Sequence, residues 1–313
     1  MLIRRLLICC VNDYKIMANQ KKINFNYKLL KFVVKSLALL PLGALYLFGD
    51  VIRFVMHRIV KYRVGVVRKN LRMVFPEKSD AELRQIENAF YRQFVNIFME
   101  SVKLAHISDA EVRRRVEVVG SELVNDALDS GRSVVLMLGH YGNWEWVTSS
   151  AMYFNPDAVS CEIYHPLGNK AFDRLMLDLR SRFGTVNIPM DSSIRTLLGM
   201  NRDGQSFVCG FISDQRPMTY ALKHWTDFCG IDTAYVNGGE AIGVKINAEF
   251  IYVEMLPLKR GKYKMTLSKI EPLGDGMENP YTRAFLQKLE DSIRRNPPYW
   301  LWTHNRWKHK RPV

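Results

Sequence analysis

With 313 residues the chain can bury a substantial core, and one large α/β domain carrying an N-terminal anchor is the expected plan. Its 45 Lys and Arg outweigh 31 Asp and Glu to give a net charge of +14, which calls for an anionic partner: a membrane face, an acidic protein or lipid, or nucleic acid. The five cysteines are odd in number and lack metal-ligand spacing, which excludes a disulfide framework and a zinc site and fits a reducing compartment.

Residues 1–26 read as an N-terminal extension. Met17 followed by ANQKK resembles an ordinary start, so residues 1–16 are expected to derive from an upstream initiation codon; a signal peptide competes, but Leu6 to Val11 is short and no small-residue cleavage site follows. Residues 27–60 are apolar with basic flanks. Their longest uncharged run, Ser36 to Gly49, is shorter than the roughly 20 residues of a spanning helix. A membrane-anchoring helical segment that enters the bilayer without clearly crossing it is expected, kinked at Pro41, with a buried core helix or a tilted span as alternatives.

Residues 61–313 form the expected α/β domain. Lys61 to Phe75 reads as a helix ended by Pro76, and Ser79-Asp80-Ala81-Glu82 as a capping box that opens another. Along that second helix Leu83, Ile86, Phe90, Phe94, Ile97 and Phe98 recur at helical spacing, as core packing does. Strands over Val116 to Val119, Val134 to Leu138, Val159 to Tyr164 and Ser206 to Ile212 alternate with helices over Ser121 to Asp129, Asn169 to Arg182 and Ile194 to Met200. This predicts a mixed, largely parallel central sheet flanked by helices. Phe250 to Leu256 and Tyr263 to Ile270 read as a hairpin, and a helix from Pro280 to Arg295 leads into an aromatic and basic tail.

The stretch VVLMLGHYGNWEW, Val134 to Trp146, holds the candidate chemistry. Its apolar run predicts a strand buried on both faces, which puts His140 just past the carboxyl end, where α/β sheets bind ligands. Glu145 follows on the first turn of a helix expected from about Trp144 to Met152. Five residues along a continuous helix lie roughly 140° apart, so a His140–Glu145 pair requires His140 to sit in the turn. Gly142 tolerates positive φ there and Asn143 is a good N-cap. A carboxylate on one imidazole nitrogen would leave the other to take a proton from a hydroxyl. The bland alternative is a hydrogen-bonded histidine at a strand end beside a solvated glutamate.

This His-x-x-x-x-Glu pattern resembles the HX4(D/E) motif of the glycerolipid acyltransferases, and its setting LGHYGNWEW is similar to the bacterial lipid A late acyltransferases, the lauroyl and myristoyl transferases. Further segments match in family order: NLRMVFPEKS from Asn70, YHPLGN from Tyr164, RSRFG from Arg180, SDQRP from Ser213 and PPYWLWTHNRWKHKRP from Pro297. The resemblance implies a glycerolipid acyltransferase-like fold and transfer of an acyl chain from acyl carrier protein to a hydroxyl of a lipid A precursor. It places the active site on the cytoplasmic face of the inner membrane and needs neither cofactor nor metal. It implies His140 as base, Glu145 as its orienter, Arg180 and, more weakly, Arg182 on the acceptor's phosphates, and Asp214 with Gln215 as the family's Asp-Gln pair, the aspartate orienting Arg180. Asn143 and Gly142 are candidates for oxyanion donors by position, and His304 matches the family's Trp-x-His. Where relatives carry His-Arg-Arg-Phe, this chain has His304-Asn305-Arg306-Trp307, which leaves open any role of the first arginine. The tail's interleaved aromatics and cations suit base stacking, but equally a membrane interface, and with the family tail ending alike no nucleic acid is expected. Another membrane lipid as acceptor, or a non-catalytic basic membrane-surface protein, remains the alternative. No Gly-x-Ser-x-Gly elbow supports a hydrolase.

Overall fold

Strand β2 (Val134–Leu138) is buried at every residue, as its two-faced apolar run requires. In the computed structural model, which describes residues 22–274 and 276–311, it lies at the centre of a seven-stranded sheet. The other strands are β1 (Val116–Val119), β3 (Val159–Tyr164), β4 (Val186–Pro189), β5 (Phe207–Ile212), β8 (Glu249–Lys259) and β9 (Lys262–Lys269), in the order β1-β9-β8-β2-β5-β3-β4. All neighbours are parallel except β8 and β9, the expected hairpin. A separate antiparallel ribbon pairs β6 (His224–Phe228) with β7 (Ile231–Tyr235). The readings of residues 1–16 as an extension or signal peptide fall outside the described residues.

Register assigns the two faces. Leu136 pairs with Gly210, and Gly210 with Glu162, so all three point to one side of the sheet. That side is covered by α6 (Ser121–Asp129), a 3-10 helix (Trp144–Tyr153) and α7 (Lys170–Arg180), through Val124, Trp146 and Leu175. Val135, Met137 and Cys209 face the opposite layer, built from α3 (Val64–Val74), α4 (Asp80–Leu104), α8 (Ser193–Arg202), α9 (Gly238–Lys245) and α10 (Pro280–Arg295). The capping box on α4 forms, with Glu82 accepting from the Ser79 N–H. Phe98 departs from the expected stripe and is exposed.

At the N-terminus, α1 (Lys22–Ala38) and α2 (Leu42–Phe54), which continues as a π-helical turn to Ile59, bend by 117° at a break containing Pro41. Among the described residues no single helix is long and apolar enough to cross a membrane. The pair is tied to the domain: Leu42, Leu45 and Tyr46 pack on Val95 and Met99 of α4, and Lys103 Nζ caps α1 by donating to the Ala38 carbonyl at 2.8 Å. Its outer side exposes Phe25, Phe32, Leu47, Phe48, Val51 and Phe54.

Candidate active site

β2 ends at Leu138 because the next four residues turn sharply. Gly142 adopts φ +66, and a Cβ there would lie 1.6 Å from the Met255 carbonyl oxygen, so only glycine fits. Asn143 then caps the 3-10 helix by accepting from the Trp146 N–H at 3.3 Å. One further rung, Ser213 N–H to the Leu138 carbonyl at 3.1 Å, extends the β2/β5 ladder past both strands and sets Asp214 beside the turn. Gly139 keeps the approach open, since a Cβ there would stand 2.8 Å from the Leu289 side chain and 3.3 Å from the Asp214 carboxylate.

His140 sits in this turn, and its partner is Asp214. The His140 backbone N–H donates to Asp214 Oδ2 at 2.8 Å, and Nδ1 lies 2.7 Å from Oδ1. Trp300 Nε1 donates to Oδ2 at 2.7 Å. Burial alone would raise the carboxyl of Asp214, but the charge and hydrogen bonds of His140, with Trp300, prevail and hold it below the usual range. An ionised carboxylate only accepts, so Nδ1 bears a proton, and in the ring's neutral form the lone pair lies on Nε2. The Gln215 amide lies 3.2 Å from Nε2, and the Trp144 ring meets the imidazole edgewise at 5.1 Å.

Glu145, expected on His140, instead grips Arg180. Arg180 Nε and Nη2 donate to its two oxygens at 2.9 and 2.8 Å, a bidentate pair, and Trp144 Nε1 donates to it at 3.1 Å. Arg180 Nη1 also lies 3.6 Å from Glu162, whose carboxyl burial pushes up to about 7. The two expected pairings are thus exchanged: Asp214 orients the histidine and Glu145 the arginine. The physical reason is the ladder rung, which brings residue 214 to the turn while the 3-10 helix carries Glu145 round toward the end of α7.

Other expectations also move. Asn143 is fully buried, its amide donating to Glu100 at 2.6 Å, so it braces the turn and does not face substrate. The Gly142 N–H donates to the Tyr299 carbonyl at 2.9 Å and is not free for an oxyanion. Arg182 donates to the Ile107 carbonyl and to Asp109, which opens α5 (Asp109–Arg115), outside the cavity described below. His304 is half-buried behind Asp214, held down to about 4 chiefly by burial. Sequence reasoning gave no place at the site to Trp300, Glu162 or Asn70, although Asn70 and Trp300 lie in the matching segments. Asn70 donates to the carbonyls of Trp302 and His304, both at 2.9 Å, and straps the tail in place. A lone glutamate in the apolar strand Val159–Tyr164 was a signal available for Glu162.

His140, Gln215, Arg180 and Glu162 line one wall region of a cavity of about 580 Å³ between the sheet and the 3-10 helix and α7. Leu136, Leu138, Val147, Phe154, Met176 and Val208 make the rest of that wall apolar. An imidazole held in this tautomer by a buried carboxylate, at the edge of an apolar slot, can in its neutral form take a proton from a hydroxyl beside a hydrocarbon chain. Residues 20–309 match the profile of the bacterial lipid A biosynthesis acyltransferases. The chain belongs to this family.

It is therefore an acyltransferase. It is similar to the lipid A biosynthesis acyltransferase of Haemophilus influenzae, 22% identical over 79% of this chain and 76% of the relative. The lipid A biosynthesis myristoyltransferase of Escherichia coli is 21% identical over 78% of this chain and 74% of its own. The palmitoleoyltransferase of the same organism is 24% identical over 88% of each. Within this acyltransferase the two charged constellations, His140 with Asp214 and Arg180 with Glu145 and Glu162, meet at Trp144, which touches both.

Proposed function

We propose that this acyltransferase moves a fatty acyl chain from the thioester of acyl carrier protein to a hydroxyl of a lipid A precursor, at the cytoplasmic face of the inner membrane. The observation that carries the reading is the 2.7 Å contact of His140 Nδ1 with Asp214 while the ring borders an apolar cavity. The hydroxyl oxygen attacks the thioester carbonyl as its proton passes to His140 Nε2. Collapse of the tetrahedral intermediate breaks the C–S bond, and the proton goes on to the leaving thiolate, so no covalent acyl-enzyme is required. Asp214 stabilises the imidazolium between these steps. The apolar walls suit the acyl chain, and the names of the relatives support lipid A as acceptor. The net charge of +14 favours an acidic donor protein and an anionic bilayer, and the exposed apolar side of α1 and α2 suits the bilayer interior.

Mass spectra of lipid A with and without the gene, joined to radiolabelled transfer from acyl carrier protein by the purified protein, test this. Loss of one acyl chain and transfer in vitro are expected. An unchanged lipid A with a change in another lipid class would move the acceptor, and acyl-CoA serving as well as the carrier protein would remove the donor.

A further inference from the structure

A second cluster of charge beside the cavity plays no part in the proton transfer. Arg216, two residues past Asp214, lines the cavity, and its Nη1 lies 3.1 Å from Nε2 of His309 in the C-terminal tail. Among the described residues neither pairs with a carboxylate. In the same tail Arg306 is 2% exposed, and none of its three guanidinium nitrogens finds a hydrogen-bond partner among the described residues. The buried Nδ1 of His304 lacks one as well. The acid near them is Asp214, already committed to His140 and Trp300.

Buried donors of a charged group are costly to leave unmet. Arg216 alone of the four lines the cavity, with His309 on its guanidinium and His304 close enough to feel Arg216 and Arg306, so basic groups outnumber the one engaged carboxylate at this edge of the cavity. We propose that Arg216 and His309, backed by Arg306 and His304, bind a substrate phosphate group next to His140. A phosphate suits the cluster because it offers several acceptor oxygens and up to two charges to converging donors, one of them a planar guanidinium fork. Arg180 is the poorer candidate: its fork is filled by Glu145, and Glu162 stands at its remaining nitrogen. Burial lowers Arg306 to about 10, and only His304 feels its neighbours' positive charge, Arg306, His140 and Arg216 adding to the burial that lowers it while Asp214 opposes them.

This inference rests on the acyl-transfer reading for the identity of the substrate, though not for the existence of the site. Two sources share the chemistry, a phosphate on the acceptor lipid and the phosphopantetheine arm of the donor. The full-length protein is titrated with inorganic phosphate, followed by tryptophan fluorescence and melting temperature, against chloride at equal ionic strength. Saturable binding is expected in the wild type, weakened about tenfold or more in Arg216→Gln and in His309→Gln. Absent binding in the wild type, or binding unaltered by both substitutions, overturns the site. Kinetics then assign the source. An acceptor KM that rises about tenfold in Arg216→Gln with the phosphorylated lipid, but not with its dephosphorylated form, assigns the acceptor. A donor KM that rises with acyl carrier protein, but not with an N-acetylcysteamine thioester, assigns the donor arm. If neither KM rises, the substrate assignment is overturned. If the wild type binds phosphate but transfers no acyl chain, the site stands and the acyl-transfer reading falls.

Discussion

His140 and Asp214, 74 residues apart in sequence, are joined twice, once through the backbone N–H and once through the ring. The first bond fixes where the histidine sits and the second fixes which nitrogen is protonated. A carboxylate that accepts from both, and from Trp300, loses its shell of water without losing its charge. Position and tautomer are thus both set by the fold itself.

Glu145 is expected to act through Arg180. Glu145→Ala removes the carboxylate that fills the arginine's fork and leaves a half-buried guanidinium facing Glu162 alone, which should cost roughly 1–3 kcal/mol of stability. Arg180→Lys should cost less, because one ammonium can still reach a carboxylate but not both of its oxygens. Melting curves check the order. Equal stability of Glu145→Ala and the wild type would remove the clamp from the account.

Glu162 gives the protein a pH dependence. Its carboxyl is raised from 4.5 to about 7, so the folded state holds a proton that the unfolded state has released. The neutral form's contribution is complete below about pH 4.5 and is lost as pH rises through about 7. A shift of that size is worth at most roughly 3 kcal/mol. Glu162→Gln should match the wild type in melting temperature at pH 5 and exceed it at pH 8. A constant difference between the two across that range would contradict the assignment.

Gly142→Ala should be severe. The positive φ alone costs a non-glycine residue roughly 1–2 kcal/mol, and the Cβ would collide with the Met255 carbonyl. The displaced turn would also lose its bond to Tyr299 and carry His140 away from Asp214. A fall in melting temperature with loss of transfer is expected; a variant with wild-type melting and activity would show the turn to be tolerant.

Membrane attachment is expected to reside on the outer side of α2. Because its inner side packs on α4, deleting residues up to Val60 would expose core, so substitution is the cleaner test. Burying a Phe is worth roughly 1.5–3 kcal/mol, and Phe48→Ser with Phe54→Ser should therefore weaken partition into anionic vesicles by roughly 100-fold or more. Flotation measures it, and undiminished flotation would assign attachment to another surface.

The sequence made legible whatever depended on neighbours in the chain. The two-faced apolar run of β2, the glycine turn, the Asn143 cap and the Ser79–Glu82 box each follow from a few adjacent residues. The partner of His140 did not, because Glu145 is near in sequence and Asp214 becomes near only when β5 pairs beside β2. β4 is four residues long and ends in proline, too short for a period to register. The β6–β7 ribbon turns through Cys229 and Gly230, both at positive φ, and cysteine is not a residue that announces such a turn. Asn143 shows the converse limit: its place as a cap was legible, but its full burial against Glu100 arises from α4, distant in the chain.

The central claim, that His140 and Asp214 work as one base, is tested most directly by a double-mutant cycle. Initial rates of acyl transfer are measured for the wild type, His140→Ala, Asp214→Asn, Glu145→Gln and the double variants of His140 with each carboxylate, all checked for folding by their melting curves. His140→Ala should lose roughly 10² to 10⁴ in rate. Asp214→Asn should lose a comparable factor, and combining the two should cost little beyond either alone. Glu145→Gln, which keeps part of the contact with Arg180, should lose less, and its loss should multiply with that of His140→Ala. Full coupling of His140 with Glu145, with Asp214→Asn acting independently, would contradict the account.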